Sequence, residues 1–327
     1  MRVFYAADSY RSHLRAAEAY GRCLRRLGHV LVDVAENADV SIVHTALDKY
    51  ERVFARYPGL KDRPWIAYAV WETSALPPMY ASALASAHAI WTASDFCFWA
   101  FAEAHPSVHV VPHVVDAPAH ADAALVARVR RDLMLSEDVY VYLYITKLAD
   151  PRKNTDALLK AFAAVHARHP ATRLVLKTNE RDPDVRADGV VQVRRTLSDA
   201  HVAALYGLAG AYVSPHRGEG WGLTLSDAMA HGVPAIATAF SGNLDFMNDA
   251  NAWLVPCREA PANDPSLGDQ SRGVWAEIDH EALVSAMMRV YEDAAAARAK
   301  AALGQRSMAP FHEARVAAAI ADALRDR

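Results

Sequence analysis

Cysteine is scarce, three residues in 327, and Cys23, Cys97 and Cys257 stand far apart. An odd, dispersed set builds neither a disulfide framework nor a paired-cysteine metal knuckle, so burial alone has to hold the fold. No apolar run reaches the ~18 residues of a membrane span, and the apolar stretch in MRVFYAADSYRSH is too short for a secretory leader. The expectation is a cytoplasmic enzyme, free or docked at the inner face of the membrane. Net charge is only −3, and no basic stripe is interleaved with aromatics, which excludes nucleic acid as the expected partner. The 15 histidines include no paired spacing on a predicted helix. Asp182 and Asp184 form an acid-x-acid pair, but within the charged loop NERDPDVRADG rather than at a strand end. No metal and no cofactor are therefore expected.

What is present is a globular balance, 53% hydrophobic and 22% charged, in a chain long enough for two domains. The first 116 residues alternate strand-like runs (Val3–Ala6, Val30–Val34, Val40–His44, Trp65–Val70, His88–Ala93, Val108–Pro112) with helical patterns such as Ser12–Leu27 and Phe96–Glu103. Alternation of this kind predicts a parallel sheet covered by helices on both faces. The small, polar APAHAD at 117–122 reads as a linker. A second series follows it: strands Val139–Thr146, Leu174–Lys177 and Val190–Val193, then AYVS and AIAT, with helices near Thr155–His169 and Ser198–Leu208. The expected fold class is α/β, two Rossmann-like doubly wound domains facing across a cleft, split as 1–118, 119–307 and a C-terminal helix 308–327. The polar stretch Cys257–Gly273 reads as a long loop inserted in the second domain.

The most informative stretch is SPHRGEGWGLTLSDAMAHG at 214–232. Gly218, Gly220 and Gly222 let backbone N–H groups approach an anion, and a helix starting near Leu223 adds its positive end. An acid beside an anion site is unfavourable unless it accepts from hydroxyls, so Glu219 points to a ligand that is both phosphorylated and polyhydroxylated. Asp227 lies eight residues further on, about one turn into that helix and away from its apolar side. A helix start with a nearby acid needs no ligand, and spacing alone leaves both readings open.

This stretch, continued by AIATAFSGNLDFMNDANAWLVP, resembles the donor-site signature of retaining GT-B glycosyltransferases, in which two acids separated by seven residues follow a strand. The resemblance implies a GT-B fold and a nucleotide-sugar donor, UDP-, GDP- or ADP-linked. Glu219 would lie against the donor sugar, and Asp227, where the family usually has Glu, would accept from the ribose. It also implies that cations bind the diphosphate and stabilise the leaving group: Lys153, opening a helix in ITKLADPRKNTDALLKAF, and Lys147 at a position usually held by Arg, with Arg152 compensating. Lys177, Thr178, Arg194 and Leu197 would line the base and ribose, and Gly218, Gly220, Trp221, Gly222 and Leu223 the phosphates and sugar. On the acceptor side Asp8, His44 and Glu72 end strands toward the cleft, and the glycine-rich loop common after the first strand is missing.

The function implied is a retaining, metal-independent transfer of a sugar to a glycan, lipid-linked or protein acceptor. A sugar-nucleotide epimerase or hydrolase, and a non-catalytic nucleotide-sugar-binding subunit, are the competing readings. The arginine-rich helix Arg11–Arg26 carries peripheral membrane contact as an option, with a solvated face as the plainer reading.

Overall fold

The computed structural model describes residues 1–116, 121–267 and 271–325. In chain order the first unit comprises β1 (Arg2–Ala7), α1 (Arg11–Arg26), β2 (Val30–Val32), β3 (Val40–His44), α2 (Tyr50–Arg56), β4 (Trp65–Tyr68), α3 (Pro78–Leu84), β5 (Ala89–Thr92), α4 (Asp95–Ala102) and β6 (Val108–Val110). The second comprises α5 (Ala123–Asp132), β7 (Tyr140–Ile145), α6 (Thr155–Arg168), β8 (Thr172–Lys177), β9 (Val190–Val193), α7 (Asp199–Leu208), β10 (Ala211–Ser214), α8 (Leu223–Ala230), β11 (Ala235–Thr238) and β12 (Trp253–Val255). Strands β13 (Cys257–Pro261) and β14 (Val274–Ile278) follow, then α9 (His280–Glu292), α10 (Ala294–Arg306) and α11 (Glu313–Arg325).

Each unit is built on a six-stranded parallel sheet, ordered β2-β1-β3-β4-β5-β6 and β12-β11-β10-β7-β8-β9. Strands β3, β4, β5, β10 and β11 are buried at every position, which is why they read as continuous apolar runs rather than as alternation. The strand order reverses between β1 and β3 in one sheet and between β7 and β10 in the other. A crevice opens beyond the carboxyl ends at each reversal, where doubly wound sheets place their ligands.

Two apolar layers sandwich the first sheet. One holds Tyr20, Leu24, Ile66 and Trp91 together with Val316, Ile320 and Leu324 of α11, so the last helix packs on the first sheet; the other holds Phe54, Leu60, Trp65 and Phe101. Side chains of this size stabilise by roughly 1.5–3 kcal/mol each on full burial. Helix α1 stops at Leu27 because Gly28 turns left-handed (φ 81°), which lets the amides of Gly28 and His29 bond back to Arg25 and Leu24.

Two expectations are corrected. The stretch read as a polar loop at 257–273 begins with β13, which pairs antiparallel with β14. Strand β13 is short and largely exposed and carries no apolar alternation to betray it. The end of the chain is not one helix from Met308: a 3-10 turn at Ala309–Phe311 precedes α11, since Pro310 suits only a helix's first turn. The linker expectation at 117–120 lies outside the described residues.

Candidate functional site

The crevice of the second sheet is where the sequence placed the site. Asp150 caps a 3-10 turn over Pro151–Lys153 by accepting from Arg152 N–H, and Asn154 in a left-handed conformation (φ 49°) turns the chain into α6. The Tyr144 hydroxyl donates to the Lys153 carbonyl at 2.7 Å, and Arg217 N–H donates to the Arg152 carbonyl at 2.7 Å. Both cations therefore sit on a fixed turn. Lys153 Nζ reaches Glu219 Oε1 at 2.5 Å. Burial pushes the Glu219 carboxyl up, but Lys153, His216 and Arg152 outweigh it and hold the group below the ordinary carboxylate range.

The glycine loop is clamped from several sides. Glu219 N–H donates to Ser241 Oγ at 2.9 Å, its carbonyl accepts from Gly242 N–H at 2.9 Å, and buried His216 bonds to Ser214, Asn243 and the Phe240 carbonyl. Gly222 is the residue whose backbone needs glycine, φ 94° at the entry to α8. Gly218 and Gly220 are small for another reason. A Cβ on Gly218 would strike the Glu72 carbonyl oxygen, and one on Gly220 would strike Val70 Cγ1. Their lack of side chains lets the first domain press against the loop.

That contact is extensive. Ser94 Oγ caps α4 by accepting from Cys97 N–H and donates to the Gly220 carbonyl at 2.7 Å, so one hydroxyl serves both domains. Glu72 beyond β4 pairs with Arg152 at 3.1 Å, and Arg152 also pairs with Asp150 at 2.7 Å. Burial raises Glu72 above the ordinary range although Arg152 and Lys153 pull it down. Residues 73–75 bind the second domain's hairpin: Ser74 N–H donates to the Val274 carbonyl, and the Thr73 hydroxyl to that of Arg272.

Glu219, Lys153, Arg152 and Glu72 thus come together. Lys147 stands exposed past β7 and makes no ion pair among the described residues. Both oxygens of Asp227 are occupied by Arg15 of α1, at 2.6 and 2.7 Å. Leu223 is partly buried at the start of α8.

Several expected contacts are structural instead. Trp221 is 2% exposed, ringed by Phe246, Phe311 and His113, and donates to Ser226 Oγ; it anchors α8 in the core rather than facing a ligand. Thr178 is fully buried and accepts from Gln192. Leu197 is also buried, and its carbonyl accepts from Arg11 at 2.7 Å. Lys177 folds onto the Thr178 carbonyl, and Arg194 binds Asp184 and the Glu180 carbonyl. His44 does not open to the cleft mouth. It is 1% exposed, packed between His13 and Tyr68, with Nδ1 3.1 Å from the Tyr5 hydroxyl and Nε2 without a hydrogen-bond partner among the described residues. Asp8 is held by Tyr10 N–H, His13 of α1 and the loop after β3.

Helix α1 adds a second set of ion pairs. Arg11, Arg15 and Arg22 share one face, and that face lies along the seam: Arg11 binds Leu197 and Asp199, Arg15 binds Asp227, and Arg22 binds Asp116 and Glu313. These three arginines are paired within the protein. No helix of the described residues is long and apolar enough to cross a membrane. Among those residues no cluster of His, Cys, Asp and Glu is arranged to hold a metal ion. Sequence reading missed Arg15, Ser94 and His216 as site residues, because Arg15 and Ser94 are defined by partners in the other domain and His216 by the loop after the next strand.

Residues 140–264 match the family model described as glycosyl transferases group 1. The phosphatidyl-myo-inositol mannosyltransferase of Mycolicibacterium smegmatis is 26% identical over 210 residues, 58% of this chain and 53% of that protein. Sucrose-phosphate synthase of Zea mays is 31% identical over 130 residues, 32% of this chain and 12% of that enzyme. The chain thus matches about half the length of one relative and far less of the other. The fold likeness runs the whole length. HepE of Anabaena, solved with UDP and glucose, superposes with a TM-score of 0.72 at 13% identity, covering 100% of both chains. Sucrose-phosphate synthase of Thermosynechococcus elongatus does so with 0.61 at 20% identity, over 97% of this chain and 79% of that one. At such identities the likeness carries the fold alone. Residues 140–264 of the second domain thus resemble the glycosyl transferases group 1, and the whole chain has a two-domain α/β fold of the GT-B type.

Proposed function

We propose that the protein is a retaining, metal-independent glycosyltransferase that moves a sugar from a nucleotide-sugar donor to a hydroxyl of a glycan, lipid-linked or protein acceptor. The observation that carries this reading is the Lys153–Glu219 pair, fixed at the strand reversal of the second sheet and facing Glu72 across the cleft. A lysine that opens a helix and an acid on a glycine loop meet the two halves of one ligand, its diphosphate and its sugar. HepE in complex with UDP and with UDP-glucose supports a uridine diphosphate donor.

Without donor, Lys153 and Glu219 neutralise one another. A diphosphate entering the crevice competes for Lys153, with Arg152 beside it, and frees Glu219 to accept from a sugar hydroxyl. As the glycosidic bond breaks, charge grows on the departing phosphate oxygen, where these cations and the first amides of α8 stabilise it most. Asp227 would accept from the ribose once Arg15 has given it up.

A thermal-shift panel of UDP-, GDP-, ADP- and dTDP-sugars in metal-free buffer tests the reading. A donor at 100 times its dissociation constant stabilises the fold by about 2.7 kcal/mol. One hit that disappears in Glu219→Ala and Lys153→Ala is the expected outcome; no shift with any donor would leave the proposal without a substrate.

A further inference from the structure

The first sheet has a crevice of its own, at its strand reversal between the ends of β1 and β3, and the reaction above has not used the side chains there. Asp8 follows β1 directly. Its Oδ1 accepts from His13 Nδ1 at 2.9 Å and from Tyr10 N–H at 2.9 Å. Its Oδ2 accepts from the Thr45 hydroxyl at 3.1 Å, Ala46 N–H at 3.2 Å and Lys49 Nζ at 3.4 Å. A carboxylate tied to α1, to the loop after β3 and to the turn before α2 has one orientation. Burial pushes Asp8 up, but these donors and the charges of His13 and Lys49 hold it below the ordinary range, so it is ionised at neutral pH.

An ionised carboxylate only accepts, so the nitrogen facing it, Nδ1, must carry the proton in His13. The neutral ring then bears its lone pair on Nε2. That atom has no hydrogen-bond partner among the described residues, yet it is not among the sealed, unpartnered atoms, and the side chain is 21% exposed. It is open to solvent. His44 backs the ring at 4.6 Å and Tyr10 meets it edge-on at 5.4 Å, which leaves little freedom to rotate. The groups around it that set its charge are Asp8, Lys49, His44 and His113; burial, with Lys49, keeps it below the ordinary histidine value against the pull of Asp8. Arg11 and Arg15, flanking it on α1, both reach the second domain, so the first turns of α1 border the cleft.

We propose that Asp8 and His13 form a dyad that takes the proton of the acceptor hydroxyl, His13 as the catalytic residue and Asp8 as the positioning residue. The inference rests on the glycosyltransferase reading. In the step, the acceptor O–H bond breaks and its proton passes to the Nε2 lone pair. The oxygen's electron pair forms the bond to the anomeric carbon, and the bond from that carbon to the diphosphate breaks, the nucleoside diphosphate leaving with the electron pair. His13 becomes an imidazolium held by the Asp8 charge and returns its proton to solvent before the next turnover. In a same-face displacement the departing phosphate oxygen competes for the proton, and the two acceptors differ in their response to pH and to loss of His13.

The test uses the whole chain. Nitrogen-15 NMR of the histidines at pH 7.5 should show His13 protonated on Nδ1 and bare on Nε2, with its titration below ~6.5; the opposite tautomer overturns the dyad at any turnover rate. Calorimetry with UDP then separates the two proposals, because a wild-type chain that binds neither UDP nor UDP-glucose removes the glycosyltransferase reading and the dyad with it. With UDP-glucose as donor and water as acceptor, UDP release should fall about tenfold per pH unit on the acid side. His13→Asn keeps a donor to Asp8, and with it the loop, but has no Nε2. It should lose roughly a hundredfold or more in turnover with UDP affinity within about threefold. Asp8→Asn should lower turnover and move the acid limb to lower pH, a displacement that a merely structural clasp does not produce. Turnover within about threefold of wild type in His13→Asn, with UDP still bound, overturns the dyad and leaves the phosphate as the proton acceptor.

Discussion

Arg15 and Asp227 lie 212 residues apart in sequence and meet face to face across the interdomain seam, each guanidinium nitrogen on its own carboxylate oxygen at 2.6 and 2.7 Å. The hydrogen bond to Asp227 is the main cause that raises Arg15 above its ordinary value. If Asp227 serves the ribose, this pair and the nucleotide compete for the same two oxygens. Arg15→Ala should then tighten UDP binding about three- to tenfold, the equivalent of ~0.7–1.4 kcal/mol, measured by calorimetry in metal-free buffer. Weaker binding would instead make Arg15 a ligand of the nucleotide. Because the arginine is 43% exposed, the lost pair itself should cost no more than about 1 kcal/mol of stability.

The Glu72–Arg152 pair is drier, with side chains 27% and 17% exposed, and it ties the first domain to the cation turn. Glu72→Ala leaves Arg152 with Asp150 and a long contact to the Gly218 carbonyl, and strips the seam of a bridge beside the glycine loop. A loss of about 1–3 kcal/mol in urea unfolding is expected, below the full penalty for a sealed ion pair. The double variant Glu72→Ala with Arg152→Ala should lose less than the two single changes added together. Strict additivity would mean the two groups do not interact.

Gly218→Ala tests the seam by shape. Its Cβ would meet the Glu72 carbonyl, a backbone atom that cannot swing aside, so the domains must part or the loop must move. Overpacking of this kind costs typically 1–3 kcal/mol. The expected result is a larger radius of gyration by small-angle scattering together with lost turnover. A compact, active Gly218→Ala protein would show that the clamp yields elsewhere.

The fold was legible because its signals are local. Buried parallel strands such as VSIVH and AIAT appear as unbroken apolar runs, and Gly222 with Leu223 marks the start of α8 to the residue. The pair at the second crevice was legible for a related reason: Glu219 and Lys153 each sit at a strand-to-helix turn, and topology brings such turns together. What stayed hidden depends on distant partners. Asp227 is exposed to the helix's outer side in any local reading, and only the docking of α1 gives it Arg15. The resemblance of the glycine loop puts Trp221 among the donor contacts, whereas the ring fills a gap bounded by Phe311 from the far end of the chain. The β13–β14 hairpin pairs Arg258 with Glu277 and Glu259 with Ala276, and β13 carries no apolar alternation.

Acid should destabilise the protein through its histidines before the carboxylates that are held low protonate. His113 is 6% exposed, with Nδ1 3.1 Å from the Tyr20 hydroxyl, and burial, reinforced by His13 and Arg15, pushes it down to about 3. His44 and His216 are lowered by burial as well. In the unfolded chain such groups titrate near ~6.5. A histidine whose folded value is depressed contributes stability that is fully present above the unfolded value and is lost as pH falls below it, at up to ~1.4 kcal/mol per pH unit for each group. Asp8 and Glu219, also held low, act in the same direction but only below ~4.5. The urea midpoint should therefore be flat from pH 8 to 7 and fall between pH 6.5 and 5, where Asp245, pushed up to about 6 by burial, takes up its proton in the folded state and offsets only part of the loss from several histidines. His113→Gln keeps a polar partner for Tyr20 and removes one titrating group, so it should be less stable than wild type at pH 7.5 and close that gap by pH 5.5. A gap that stays constant across this range would mean that His113 is not held neutral in the folded protein.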